Sequence, residues 1–154
     1  MAVCAWISIP FGYIAFTLQT FAVSLALFTL GGKWGTASVC VYLLLGTVGL
    51  PVFSGFQGGL GTLLGVTGGY LWGFVATGLI YWGVEKLCKP LGAILGRVAC
   101  YVLGSVWFCL YSGGGSFGAA VASGVAPYVI PDVGMIYLAW ICGKSIRESL
   151  ARNG

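Results

Sequence analysis

The sequence predicts an all-α, polytopic membrane protein, and three observations lead there. Of its 154 residues 59% are hydrophobic and only 6% are charged, against about 25% charged in an ordinary soluble domain. Seven basic and three acidic residues could not coat even one face of a soluble fold of this size. The apolar runs are interrupted only by Gly, Pro or small clusters of charge, and those clusters recur at alternate boundaries, as they do when a chain crosses a bilayer repeatedly. A single integral-membrane domain over 1–154 is expected, lying in the lipid bilayer and built of six crossings.

Taken in order, Ala2 to Ile9 reads as the end of an apolar helix, helix 1 being truncated or incomplete. Eight residues span only about 12 Å at 1.5 Å per residue, too little for a hydrocarbon core of about 30 Å. Helix 2 is expected from Tyr13 to Gly31, with Gly31-Gly32-Lys33 as a glycine stop followed by a cation. Helix 3 follows from Trp34 to Leu50 and ends at Pro51. Helix 4 runs from Tyr70 to Leu87, with the polar exit Glu85-Lys86-Leu87-Cys88-Lys89-Pro90, and helix 5 from Leu91 to Tyr111. The segment 112–132 reads as an outer connection with a short helical turn over Phe117 to Ser123, because Pro127 and Pro131 argue against a continuous helix. Helix 6 is expected from Val133 to Ser149.

Between helices 3 and 4 lies Gly49 to Tyr70, GLPVFSGFQGGLGTLLGVTGGY, in which eight of 22 residues are Gly and none is charged. Each Gly inside a helix costs roughly 1 kcal/mol relative to Ala. Non-helical backbone at membrane depth survives only where protein buries it or where it lines a cavity, since lipid offers no hydrogen-bond partner. The stretch is therefore expected to be a loop over a cavity. Its alternative is a plain flexible outer loop.

Charge orients the bundle. Lys33, Glu85, Lys86, Lys89, Lys144, Arg147, Glu148 and Arg152 close helices 2, 4 and 6, and Arg97 lies within snorkelling reach of the same face. By the positive-inside rule that face and the C-terminus are cytoplasmic, which leaves the glycine-rich stretch and Asp132 on the outer side.

Several functions are excluded. Scattered basic residues form no nucleic-acid stripe. No metal site is expected: there is no His, and no two of the six cysteines are closer than nine positions, so metal-ligand spacing and Cys-His or Ser-His catalysis are missing. Gly143-Lys144-Ser145 ends like a phosphate-binding loop, but Leu138 stands where its leading Gly belongs. With no acid–base pair on the outer side, no catalytic residue and no cofactor are assigned and the chain is not read as an enzyme. What remains fits ligand capture. Gln19, Tyr42, Ser54, Gln57, Thr67, Tyr70 and Asp132 are polar groups near the outer side, interleaved with Phe53, Phe56, Trp72 and Tyr128, the mixture of apolar wall and sparse polar groups that small-molecule pockets use.

At this point four stretches carry a resemblance: TLQT (Thr17 to Thr20), GLPVFSGFQGGLG (Gly49 to Gly61), Gly65 to Phe74 with its TGGYL core, and APYVIPD (Ala126 to Asp132). Together they resemble the BioY family, the biotin-specific S components of energy-coupling factor (ECF) transporters. The resemblance implies a six-helix S-component bundle in the bacterial inner membrane that captures biotin from outside. A transmembrane coupling (T) component and a pair of ABC-type ATPases would drive uptake.

It also implies ligand contacts from Gln19, Tyr42, Phe53, Ser54, Gln57, Gly68, Tyr70, Asp132 and Met135. Gln19 matches the family glutamine of TLQT and would bond the ureido group or hold the loop, with an interhelical hydrogen bond as the alternative. Asp132 matches a family aspartate, either as acceptor for ureido N–H or as a helix N-cap. Two positions depart from the family pattern: Met135 stands where a lysine is common, and Gln57 where a basic residue is common. The outer half then holds no cation for a carboxylate unless Arg97 points inward; snorkelling to the cytoplasm is the favoured expectation. Loop N–H groups or the positive end of helix 6 would serve instead. An impaired site, retained in an assembly partner, is the alternative function.

Overall fold

The structure, a computed structural model, describes residues 1–11, 14–111, 118, 121 and 125–153. Among them are six α-helices and one two-stranded ladder: α1 (Ala2–Trp6), β1 (Ser8–Phe11), β2 (Ile14–Thr17), α2 (Gln19–Thr47), α3 (Leu60–Leu64), α4 (Gly68–Val84), α5 (Lys89–Tyr111) and α6 (Ala126–Asn153). The all-helical expectation holds for the body of the protein. At one end of the bundle an antiparallel hairpin replaces the first turns of expected helix 2, pairing Ser8 with Thr17 and Ile9 with Phe16. The expected start, Tyr13, lies outside the described residues, as does most of the turn expected at Phe117 to Ser123.

Helices 2 and 3 of the sequence reading are the two halves of α2. Gly31, at φ 82° and ψ 171°, breaks the helix. A straight helix would hold Gln19 and Tyr42 about 35 Å apart at 1.5 Å per residue, yet the Gln19 amide donates to the Tyr42 hydroxyl at 2.7 Å. The halves therefore run antiparallel, with Gly31 in the reversal. The charges at the break obey the helix dipole: Glu85 accepts from the Gly32 N–H at 2.7 Å, where the second half begins, and Arg147 donates to the Thr29 carbonyl at 3.0 Å, where the first half ends. Glu85, Arg147 and the start of α5 at Lys89 thus share one end of the bundle, opposite the hairpin.

Helices α4 and α5 pack through glycine. A Cβ on Gly73 would lie 2.6 Å from Cys100 Sγ and 2.9 Å from its Cα; only the missing side chain permits that approach. Thr77 seals the contact, its hydroxyl lying 2.8 Å from the Gly73 carbonyl and 2.9 Å from that of Gly96. Leu79, Trp82, Val98, Val102 and Leu103 point outward and exposed, as a lipid-facing surface requires. By length and composition α5 and the 126–152 part of α6 can each cross a membrane.

The stretch expected as a loop carries the short helix α3, α4 is Gly68–Val84 and not Tyr70–Leu87, and the largest boundary shift falls on expected helix 6. Expected helix 6 begins at Ala126, not Val133, and continues through Pro131. Pro127 falls in the first turn, where its missing N–H would be unpaired anyway; Pro131 removes only the bond to the Pro127 carbonyl. Asp132 consequently sits in the second turn, and the N-cap alternative for it falls.

Candidate functional site

At the hairpin end α2, α4, α5, α6, the hairpin and the glycine-rich stretch enclose a cavity of about 360 Å³, at the small end of the range for small-molecule sites. The glycine-rich stretch covers it, as its composition predicts, and is tied down rather than free. Gly49, Gly55 and Gly59 take φ of 108°, 69° and 92°, the left-handed region that glycine enters without strain. The Gly59 N–H reaches the Gly46 carbonyl at 2.6 Å, and the Phe53 N–H the Gln57 carbonyl at 3.0 Å. The Trp6 indole N–H donates to Pro51 O at 2.8 Å while its ring stacks on Phe56 at 4.9 Å. Across the cavity Phe16 of β2 stacks on Tyr128 of α6 at 6.2 Å, so the hairpin closes a second side.

The buried polar end is built by α5 and α6. Arg97 and Tyr101, one helical turn apart, both reach Asp132: Arg97 Nε donates to Oδ2 at 2.7 Å, and Arg97 Nη2 and the Tyr101 hydroxyl donate to the same oxygen. The guanidinium also lies 4.8 Å from the Tyr101 ring centre and 5.9 Å from that of Phe74, within cation–π range. The Arg97 and Asp132 side chains are 14% and 3% exposed. All three donors converge on Oδ2. Among the described residues nothing donates to Oδ1.

This overturns the snorkelling expectation for Arg97 and the expectation that the outer half lacks a cation. Attraction between opposite charges grows as the local dielectric falls, so a buried carboxylate within reach holds the guanidinium inside the bundle.

The remaining expected residues divide. Gln19, Phe53, Ser54, Gln57, Tyr70 and Asp132 line the cavity, with Thr67 and Tyr128 beside them. Gln19 also accepts from the Thr17 hydroxyl at 3.0 Å, and Tyr42, which it contacts, donates onward to the Val52 carbonyl at 2.8 Å. Tyr42 thus stands behind the wall and connects Gln19 to the cover. Gly68 is packed away from the cavity against Leu63 O and the Trp107 indole, and Met135 is half-buried outside the wall. Besides Arg97, the wall includes Phe16, Thr17, Thr20, Thr62, Leu71 and Phe74; Thr17 and Thr20 flank Gln19 in TLQT, whereas Phe16 reaches the cavity through the hairpin.

The comparisons with known proteins bear on the family and the fold. A profile of the BioY family matches residues 1–152. The chain is 44% identical over 153 residues to the biotin transporter BioY of Thermotoga maritima, covering 96% of this chain and 89% of that one. It is 39% identical over 133 residues to the probable biotin transporter BioY of Pyrococcus horikoshii, covering 86% and 80%. The crystal structure of the S-component for biotin from an ECF-type ABC transporter matches its fold with a TM-score of 0.86 at 24% identity, over 96% of this chain and 84% of that one.

Proposed function

The chain belongs to the BioY family, and from that premise we propose that it is a single integral-membrane domain that captures biotin, as the S component of an ECF-type vitamin importer. The observation that carries this reading is the gradient inside the cavity. Its wall is apolar along Phe53, Leu71 and Phe74, its deep end offers the Arg97–Asp132 pair, and its rim offers half-buried Ser54 and exposed Gln57. Biotin has a matching sequence of groups: a polar ureido ring, an apolar fused thioether ring and chain, and a charged carboxylate. Gln19 and Tyr70 would complete the polar contacts, with Tyr42 holding Gln19. The test is saturable binding of labelled biotin to the purified protein, with riboflavin and thiamine as competitors. Biotin alone is expected to displace the label, and no saturable binding rejects the proposal.

Uptake then falls to partners, a T component and an ABC-type ATPase pair, because this chain has no nucleotide motif of its own. The membrane is the bacterial inner membrane, with the glycine-rich end outside and the C-terminus in the cytoplasm, supported by the cations gathered at the end opposite the cavity. In a background with the native cysteines replaced, Ser54→Cys and Lys89→Cys are expected to react with impermeant thiol probes from opposite sides. Reaction of both from one side ends this orientation. The impaired-site alternative rested on Met135 and on the short first helix, and Arg97 supplies the cation whose absence motivated the first of these.

A further inference from the structure

The glycine-rich cover has an inner and an outer anchor, and α1 makes the outer one. At Gly49 and Gly59 the chain turns at φ 108° and 92°, and a Cβ at either glycine would meet nothing within 4 Å. Packing leaves both turns free, so residues 50–58 form a flap between two glycine hinges. The flap places Ser54, Gly55 and Gln57 on the cavity wall and sends two rings opposite ways: Phe53, 1% exposed, goes in, and Phe56, 63% exposed, stays out. Phe56 is held in a conformation it would not choose. Its φ of 57° is the one positive value at a non-glycine among the described residues, and a bulky side chain enters that region at a population penalty of about tenfold. Trp6 compensates it twice over: its ring stacks on Phe56 at 4.9 Å and 24°, and its indole N–H donates to the Pro51 carbonyl at 2.8 Å. The indole itself stands on firm ground. Ala5 beside it is fully buried, and the Ile7 carbonyl accepts from the Leu18 N–H at 3.3 Å. Trp6 is no part of the cavity wall.

Resting on the reading of this cavity as the capture site, we infer that Trp6 is a gating residue: it latches the 50–58 flap shut, and ligand enters and leaves as the flap swings off the indole on its glycine hinges. The kinetic signature follows from where Trp6 stands. It touches the flap and not the ligand, so weakening it raises the open fraction of the empty and of the loaded protein by one common factor. Association and dissociation then speed up together while affinity stays unchanged. A defect in the binding wall acts mainly on dissociation instead.

The test is the association and dissociation rates of labelled biotin on the purified, full-length protein, as wild type, Trp6→Ala, Trp6→Phe and Phe56→Ala. A ring stack and one hydrogen bond at a half-exposed site are together worth a factor of about ten, so Trp6→Ala is expected to raise both rates about tenfold with Kd within about twofold of wild type. Trp6→Phe, which keeps a ring and loses the N–H, should fall between. Phe56→Ala should also speed both rates, and Trp6→Ala added to it should do less than it does alone, because the stack is already gone. A second readout needs no ligand. In the background with the native cysteines replaced, Thr20→Cys, on the cavity wall and 5% exposed, should react with a small thiol reagent about tenfold faster once Trp6 is replaced by alanine. Phe56 is exposed, so its variant decides the matter even where Trp6→Ala fails to fold. Biotin rates within about twofold of wild type in the Trp6→Ala and Phe56→Ala proteins, or faster dissociation with association unchanged, overturn the gate and leave the biotin reading standing. A wild-type protein that binds no biotin removes that reading, and the labelling rates of Thr20→Cys then decide the gate by themselves: no acceleration overturns it.

Discussion

Arg97→Met is expected to destabilise the protein by about 3–5 kcal/mol, and Asp132→Leu by a similar amount, because each leaves the partner charge buried without compensation. The double variant, Arg97→Met with Asp132→Leu, should lie within about 1 kcal/mol of wild type, since replacing a buried ion pair by apolar residues of similar size is often neutral. The non-additivity is the diagnostic quantity: contacting residues of one network couple, whereas independent ones add. Tyr101 limits the recovery, because its hydroxyl loses Asp132 as acceptor in the double variant and needs another partner. Thermal unfolding in a single detergent measures all four proteins. Single effects that simply sum would mean that the two charges do not depend on each other, and the site's central contact would fall. The double variant is also expected to fold and yet lose biotin, which separates the site's stability from its function.

The fold was legible wherever composition alone decided it. Apolar runs broken by glycine and clustered charge marked the crossings, and Gly31-Gly32-Lys33 marked the reversal inside α2. The hairpin was not legible, for a physical reason. Ile14 to Thr17 is a short apolar run, and such runs fit a buried strand and a helix equally well. The preceding Pro10 and Gly12 and the β-branched Ile14 and Thr17 were the available signs of a strand. Pro131 misled in the other direction. A proline early in a long helix costs one hydrogen bond, and packing of α6 against α2, with Gly143 set against Phe28, outlasts that loss.

At the site, six of the nine expected residues reach one cavity, and the most consequential absentee from that set is Arg97. Its distance from the Lys89 end of α5, about 12 Å at 1.5 Å per residue, suits snorkelling as well as it suits burial. A different question would have found it. Asp132 is the one acidic residue away from the charged helix ends, an intramembrane carboxylate needs a named partner, and Arg97 is the one cation that no helix end claims. Met135, three positions along from Asp132, drew attention to a missing charge on α6 when the charge stood on α5. Gly68 was expected as a ligand contact; what the position requires of glycine is the close approach of Leu63 and Trp107.

Phe53→Ala is the second large effect, expected to cost about 3 kcal/mol or more, the range for truncating a buried aromatic side chain. Phe53 is only 1% exposed and anchors the cover from inside. Its ring meets Tyr42 edge-on at 5.6 Å and 84°, and it fills the space where a Cβ on Gly46 would collide with it. The same ring forms part of the cavity wall, so the hole left by alanine opens onto the site instead of closing as an isolated void. The cover then loses its plug while keeping its hydrogen bonds, Gly59 N–H to Gly46 O and Tyr42 hydroxyl to Val52 O. Biotin is therefore expected to leave at least about tenfold faster, with a smaller change in its rate of arrival, as affinity changes within one site fall mostly on dissociation. Phe53→Leu, which refills most of the volume, should recover most of both effects. Unfolding midpoints and biotin dissociation rates on the same samples check this, and a Phe53→Ala protein with wild-type values for both would show that the glycine-rich stretch is held shut by something other than this ring.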